Sequence, residues 1–209
     1  MNTQTAMVDL FKEKAKLVSA VVSEVSTYKE AFEYCVDLCD RKEACQLLIS
    51  GCEQPLSAKA EDLCDEKQQK IIAAPGLKES HVTELNHLAA AKDIQLITEN
   101  LRKHLAGIDM GLTFIDYGIA ETGTLVLDSS SEEVRLATMI SEVHIALLPE
   151  SKIRQNAYAL EEELKINMLS YPNYTAFITG PSRTADIERV LALGVHGPLE
   201  LHILLLKDK

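Results

Sequence analysis

Near the start of the chain, apolar residues recur at alternating spacings of four and three: Phe11, Ala15, Val18, Val22 and Val25, then Tyr28, Phe32, Cys35 and Cys39. That spacing lines one face of a helix. It predicts a helix over 4–25 and a second after Ser26 and Thr27, which offer a break and a cap. A helix cannot bury such a stripe by itself. The segment therefore docks on the rest of the chain or on a second copy of it, and the pattern fits both, including a homo-oligomer.

Further along, the pattern changes. Lys70-Ile71-Ile72-Ala73-Ala74, closed by Pro75-Gly76, reads as a buried strand and turn. Val82, Leu85, Leu88 and Ala89 make 79–91 a helix, 94–97 is a strand, and 99–105 a short helix. Residues 119–127 are a strand either side of, or running through, Glu121-Thr122-Gly123-Thr124. After Ser129-Ser130-Ser131 come a helix around 134–140, a strand over 144–148 stopped by Pro149, and an amphipathic helix over 151–166. A strand over 174–179, a helix over 184–193 and a strand over 199–206 complete the series. Short apolar strands alternating with helices predict an α/β fold, a mostly parallel sheet with helices on both faces. The division that follows is an N-terminal helical segment, 1–50, packed on an α/β domain, 51–209.

Composition narrows the function. The chain has 209 residues, 46% hydrophobic and 25% charged, enough for a packed core. Its 32 acidic residues against 21 basic give a net charge of -11. Nucleic acid is excluded as a partner, because phosphate binding relies on clustered Lys and Arg. An anionic ligand needs a locally positive pocket. The start, MNTQTAMVDLFKEKAK, lacks a basic region followed by an apolar block. Apolar runs such as 201–206 are too short to span a bilayer, so a cytoplasmic protein with no membrane association is expected.

The five cysteines, Cys35, Cys39, Cys45, Cys52 and Cys64, include no C-x-x-C pair. The zinc and iron–sulfur spacings are thus missing, and neither a metal nor a cofactor is expected in this chain. The reading is reduced, packed thiols, two of them on the apolar stripe. His81, His87, His104, His144 and His202 show no metal-site spacing and read as surface or core-edge residues.

Ligands of open α/β sheets bind beyond the carboxyl ends of the strands, and two segments have the composition for that place. In Gly118-Ile119-Ala120-Glu121-Thr122-Gly123-Thr124-Leu125, a carboxylate, two hydroxyls and a glycine interrupt an apolar strand. Gly123 permits close backbone approach, Thr122 and Thr124 can donate to a ligand oxygen, and Glu121 can serve as base, nucleophile or acceptor. The alternative is a bulge whose polar groups satisfy one another. In Gly180-Pro181-Ser182-Arg183-Thr184-Ala185-Asp186, Ser182 or Thr184 caps a helix whose free N–H groups, with Arg183, attract an anion. The alternative is an ordinary capped helix with a surface Arg. A third piece, Gly194-Val195-His196-Gly197-Pro198, sets His196 between glycines, either beside a ligand or as a turn residue. Read together, Glu121, Thr122, Gly123 and Thr124 converge with Ser182, Arg183 and Thr184 at one pocket mouth, closed by His196 and Gly197.

The same segments resemble the signature of the LUD-domain family. Gly107-Ile108-Asp109-Met110-Gly111-Leu112-Thr113 followed by Asp116-Tyr117-Gly118-Ile119-Ala120-Glu121-Thr122-Gly123-Thr124 is similar to the family core, with Ile115 where alanine is commoner. Gly180 to Glu188 and Gly194 to Pro198 are similar to two further family motifs, in the same order. The resemblance implies a fold like that of the glucosamine-6-phosphate deaminase, ribose-5-phosphate isomerase and CoA-transferase group. It also implies service in conversion of L-lactate to pyruvate, beside partner subunits that carry iron–sulfur clusters; larger members fuse a cluster module that this chain lacks. A second class of function stays open by analogy of fold. In it the chain binds or transforms a small anion such as an acyl-CoA or sugar phosphate, with Glu121 in the place of the glutamate acyl acceptor of CoA-transferases.

Overall fold

The structure is a computed structural model and describes residues 3–42, 69–104, 107–169, 173–184, 192–193 and 197–208. The helices are α1 (Thr3–Leu17), α2 (Tyr28–Arg41), α3 (Glu79–Ala90), α4 (Glu132–Ile140) and α5 (Glu161–Leu169). The strands are β1 (Val21–Val25), β2 (Ile71–Ala73), β3 (Gln95–Ile97), β4 (Ile108–Phe114), β5 (Tyr117–Ile119) and β6 (Thr124–Asp128). They continue with β7 (Ser141–Pro149), β8 (Ile153–Arg154), β9 (Thr175–Ile178), β10 (Arg183–Thr184), β11 (Ala192–Leu193) and β12 (Glu200–Leu206).

A six-stranded sheet in the order β1-β12-β7-β4-β2-β3 forms the centre, and every neighbouring pair is parallel. One row of its register runs Glu200, Val143, Met110, Ile72. Strands covered on both faces need continuous apolar runs, and β7 and β12 supply them, with Ser141, Glu142, His144 and His202 as buried polar exceptions. Phe32, Cys35 and Cys39 of α2, with Leu85 and Ala89 of α3, pack on one face. Val8, Phe11 and Ala15 of α1 cover the other, together with Leu125 and Leu127 of a four-stranded mixed sheet, β8-β5-β6-β9. Helix α4 lays Ala137 over Ile71 and Ile108 on that same side. Among the described residues no helix is long and apolar enough to cross a membrane.

The expected helix over 4–25 is two elements. Helix α1 stops at Leu17, Ser19 turns the chain at φ 66°, and the β-branched Val21, Val22 and Val25 join the sheet beside β12 as β1. A spacing of four and three does not separate helix from strand over a stretch this short, and the parallel ladder with β12 decides it. Thr27 caps α2 as expected, its side chain accepting from Glu30 N–H at 3.1 Å. The expected helix over 151–166 begins only at Glu161. Before it, the carbonyls of Arg154 and Gln155 accept from Ala120 and Glu121 N–H at 2.8 and 3.0 Å, which holds β8 extended beside β5. Of the expected helix over 184–193, Thr184 and Ala192–Leu193 lie in an antiparallel ribbon, β10 with β11, and the residues between lie outside those described.

The apolar alternation left β4 unassigned because Asp109, Gly111 and Thr113 interrupt it. Gly111 is required there: a Cβ at this position meets the Ala137 carbonyl oxygen at 2.2 Å, so only glycine lets α4 lie this close to the sheet.

Candidate functional site

Ala120, Glu121, Thr122 and Gly123 form the turn of the β5–β6 hairpin. Glu121 and Thr122 are exposed, while Gly123 and Thr124 are buried. Gly123 has φ +65°, and a Cβ there meets Ala15 N at 2.3 Å, so its glycine serves both a left-handed turn and the docking of α1. The Thr122 and Thr124 hydroxyls are 2.7 Å apart, and Thr124 lies 2.8 Å from the hydroxyl of Thr179. Thr179 follows β9 and leads into Gly180, whose own Cβ position lies 2.3 Å from Val18 O. The first two motifs are thus joined through hydroxyls, and both press a glycine on the end of α1.

Ser182 donates its N–H to Pro198 O at 2.9 Å, and a Cβ on Gly197 meets Ser182 Cβ at 3.2 Å, so the second and third motifs are also neighbours. Arg183 is exposed on β10, and residues 185–191, over which most of the expected helix runs, lie outside those described. Thr184 follows it in the same ribbon. His196 lies outside the described residues. The place of these motifs also differs from expectation. They follow β5 and β9 of the small sheet, but they stand beside Pro198 and Val18, just ahead of β12 and β1. In the six-stranded sheet that is the amino edge, opposite the end where open α/β sheets bind ligands.

A cavity of about 210 Å³ opens at this edge. Gly180, Pro181 and Pro198 line it from the motif side, with Ser129, Arg135, Thr138 and His144. The Ser129–Ser130 loop is stitched to Tyr174: Ser129 N–H donates to Tyr174 O at 2.7 Å and Tyr174 N–H to Ser130 Oγ at 3.2 Å. Arg135 donates from one nitrogen to Ser129 O at 2.6 Å and Ser130 O at 2.9 Å, and its guanidinium lies 4.9 Å from the Tyr174 ring centre. His144 is 1% exposed, with Nε2 2.8 Å from Thr113 Oγ1. Burial lowers its pKa to about 4, so the imidazole is neutral at pH 7.

On the opposite face of the sheet, beneath the end of α2, lies a more polar cavity of about 460 Å³. Lys42 at its wall is 2.7 Å from Glu142 and 3.2 Å from Asp109, and all three are almost fully buried. Burial depresses the Lys42 pKa, but the hydrogen bond to Glu142 and the charges of Asp109 and Glu142 outweigh it and raise it, so Lys42 stays cationic. The second oxygen of Asp109 accepts from Ile71 N–H at 2.8 Å. This group therefore ties α2, β2, β4 and β7 together. Beside it, Tyr34 OH lies 2.8 Å from His202 Nδ1, and His202 Nε2 lies 2.8 Å from Glu200. Among the described residues, no group of His, Cys, Asp and Glu is arranged to hold a metal ion. Cys35 and Cys39 are buried cysteines, and burial, with the neighbouring Cys39, pushes the Cys35 pKa upward. Cys45, Cys52 and Cys64 lie outside the described residues.

Spacing did not reveal Arg135, His144 or the Lys42 group. The available signal was a polar residue inside an otherwise apolar strand: Asp109 in β4, His144 in β7 and His202 in β12. Such residues stay buried only when hydrogen-bonded or paired.

An all-parallel central sheet, with a mixed small sheet folded over one face and a pocket at the amino edge, defines an α/β protein of the open-sheet class. The chain belongs to the LUD-domain family, whose model matches residues 8–206. It is 35% identical over 114 residues to lactate utilization protein C of Halalkalibacterium halodurans, covering 53% of this chain and 50% of that protein. It is 34% identical over 114 residues to the Bacillus subtilis protein of the same name, covering 53% and 47%. An uncharacterized protein of Neisseria meningitidis is 42% identical over 97 residues, 46% of this chain and 42% of that one. These matches span about half the length of the curated relatives. A solved DUF162 family protein from Deinococcus radiodurans shares the fold over 99% of both chains, with a TM-score of 0.54 at 16% identity.

Proposed function

We propose that this chain serves lactate utilization, as a subunit that acts with iron–sulfur partner proteins in the oxidation of L-lactate to pyruvate. The observation that carries the reading is the family match over 8–206 together with relatives named lactate utilization protein C. The oxidation releases two electrons and two protons from the substrate. In this reading the electrons pass to clusters held by the partners, and this chain contributes binding and assembly. The pocket agrees with a small organic acid: it sets one guanidinium and one neutral imidazole against apolar walls in an otherwise acidic protein.

The test is genetic and biochemical. Deleting the gene should abolish growth on L-lactate as sole carbon source, and the tagged chain should restore growth and co-purify with cluster-bearing subunits. Normal growth of the deletion strain on L-lactate overturns the proposal.

A further inference from the structure

Of the polar side chains lining the smaller cavity, Ser129 and Thr138 donate their hydroxyls to backbone carbonyls, which leaves Arg135 and His144 as its donors. Ala176, Ile178, Pro181, Pro198, Leu201 and Met139 form its apolar walls. Arg135 is held by the Ser129 and Ser130 carbonyls through one nitrogen only. Its remaining N–H groups meet no acceptor among the described residues. The Tyr174 ring, its centre 4.9 Å from the guanidinium carbon, and the two carbonyls together restrain the group at the cavity wall, where its other nitrogens can meet a carboxylate.

His144 supplies the other donor. The Thr113 hydroxyl has His144 Nε2 as its only hydrogen-bond partner among the described residues. Its proton therefore goes to Nε2, which leaves the ring proton on Nδ1. Nδ1 has no partner among the described residues. Yet no side-chain nitrogen or oxygen sealed from solvent lacks one there. Nδ1–H thus opens on the cavity that His144 lines.

We propose that this cavity binds a short-chain aliphatic carboxylate with a carbonyl or hydroxyl oxygen next to the carboxylate, Arg135 gripping the carboxylate and His144 Nδ1–H donating to the second oxygen. The proposal deepens the reading above; it rests on that reading for the metabolic setting and on the cavity alone for the site. One cation beside one neutral donor suits a monoanion and leaves a phosphate dianion half-neutralised. A space of about 210 Å³ is below the usual range for sites that enclose larger ligands, so a nucleotide or an entire CoA does not fit. The apolar walls extend beyond what a single methyl group fills. Acids with a longer side chain therefore bind more tightly than pyruvate or lactate.

Calorimetric titration of the purified full chain tests this with pyruvate, 2-oxobutyrate, propionate and inorganic phosphate. Binding of 2-oxobutyrate that is tighter than that of pyruvate, with propionate weaker and phosphate undetectable, supports the site. Arg135→Gln and His144→Leu should each weaken 2-oxobutyrate about tenfold or more, the loss of one good donor. His144→Asn, whose amide nitrogen stands near the place of Nδ1, should recover most of the affinity, which a merely structural role does not predict. Ala176→Leu fills the cavity without touching either donor and should abolish binding. Phosphate binding as well as the oxo acids, or affinity unchanged in folded Arg135→Gln and Ala176→Leu variants, overturns the proposal. Because the titration uses no partner and no turnover, a failure here leaves the growth phenotype on lactate intact, and a failure of that phenotype leaves the titration intact.

Discussion

Single residues here carry either docking or chemistry, and the two are separable. Gly123 belongs to docking. Its φ of +65°, and the 2.3 Å that would separate a side-chain Cβ from Ala15 N, leave no room for any other residue. Gly123→Ala should cost more than about 2 kcal/mol, combining backbone strain with a steric clash, measured as a shift of the urea midpoint at constant slope. Glu121 is different: it is exposed on the same turn, so Glu121→Gln should leave stability unchanged within about 0.5 kcal/mol. A large loss of stability would show that its carboxylate supports the hairpin. His144 links stability to pH. Its folded pKa of about 4 lies below the unfolded value near 6.5, so the folded state resists protonation. The contribution is fully present above pH 6.5 and is lost as pH falls from there toward 4, amounting to about 3 kcal/mol by linkage. Denaturation across that window should therefore show falling stability with acid, and His144→Asn should flatten the slope. A variant slope equal to that of the parent contradicts the assignment.

At the scale of elements, the strongly patterned ones were legible in the sequence and the short ones were not. Helices α2 and α3 and strands β7 and β12 have long apolar faces or runs, and each is where its pattern puts it. Strand β1 was hidden because Val22 and Val25 continue the four-and-three spacing that Phe11, Ala15 and Val18 set in and after α1. Strand β4 was hidden because its polar residues are buried by specific partners, Lys42 and Ile71 N–H for Asp109 and His144 for Thr113. No local pattern encodes a partner about forty or seventy residues away. Neighbouring motifs meet in pairs, Thr124 with Thr179 and Ser182 with Gly197 and Pro198. Their position at the amino edge was not legible, because it depends on the small sheet folding back over α1. The packing makes its own prediction. Phe11 is fully buried between α1 and the small sheet. Phe11→Ala should cost about 3–5 kcal/mol, and a melting temperature within a degree of the parent would show that α1 is not part of the core.

Among the described residues, the parallel sheet separates two differently built cavities at one edge. One is apolar with an arginine and a neutral histidine; the other is walled by a buried lysine between two carboxylates. Removing one member of that buried group leaves an uncompensated charge, so Lys42→Met should destabilise by about 3–5 kcal/mol. Denaturation that matches the parent within error would mean the group adds nothing to the fold. Under the proposed function, lactate oxidation by cluster-bearing partners requires this chain. The direct measurement is L-lactate-dependent reduction of an artificial electron acceptor by purified iron–sulfur subunits, with and without the chain added back. Turnover that appears only when the chain is present is the predicted result, whereas equal rates in its absence contradict the account.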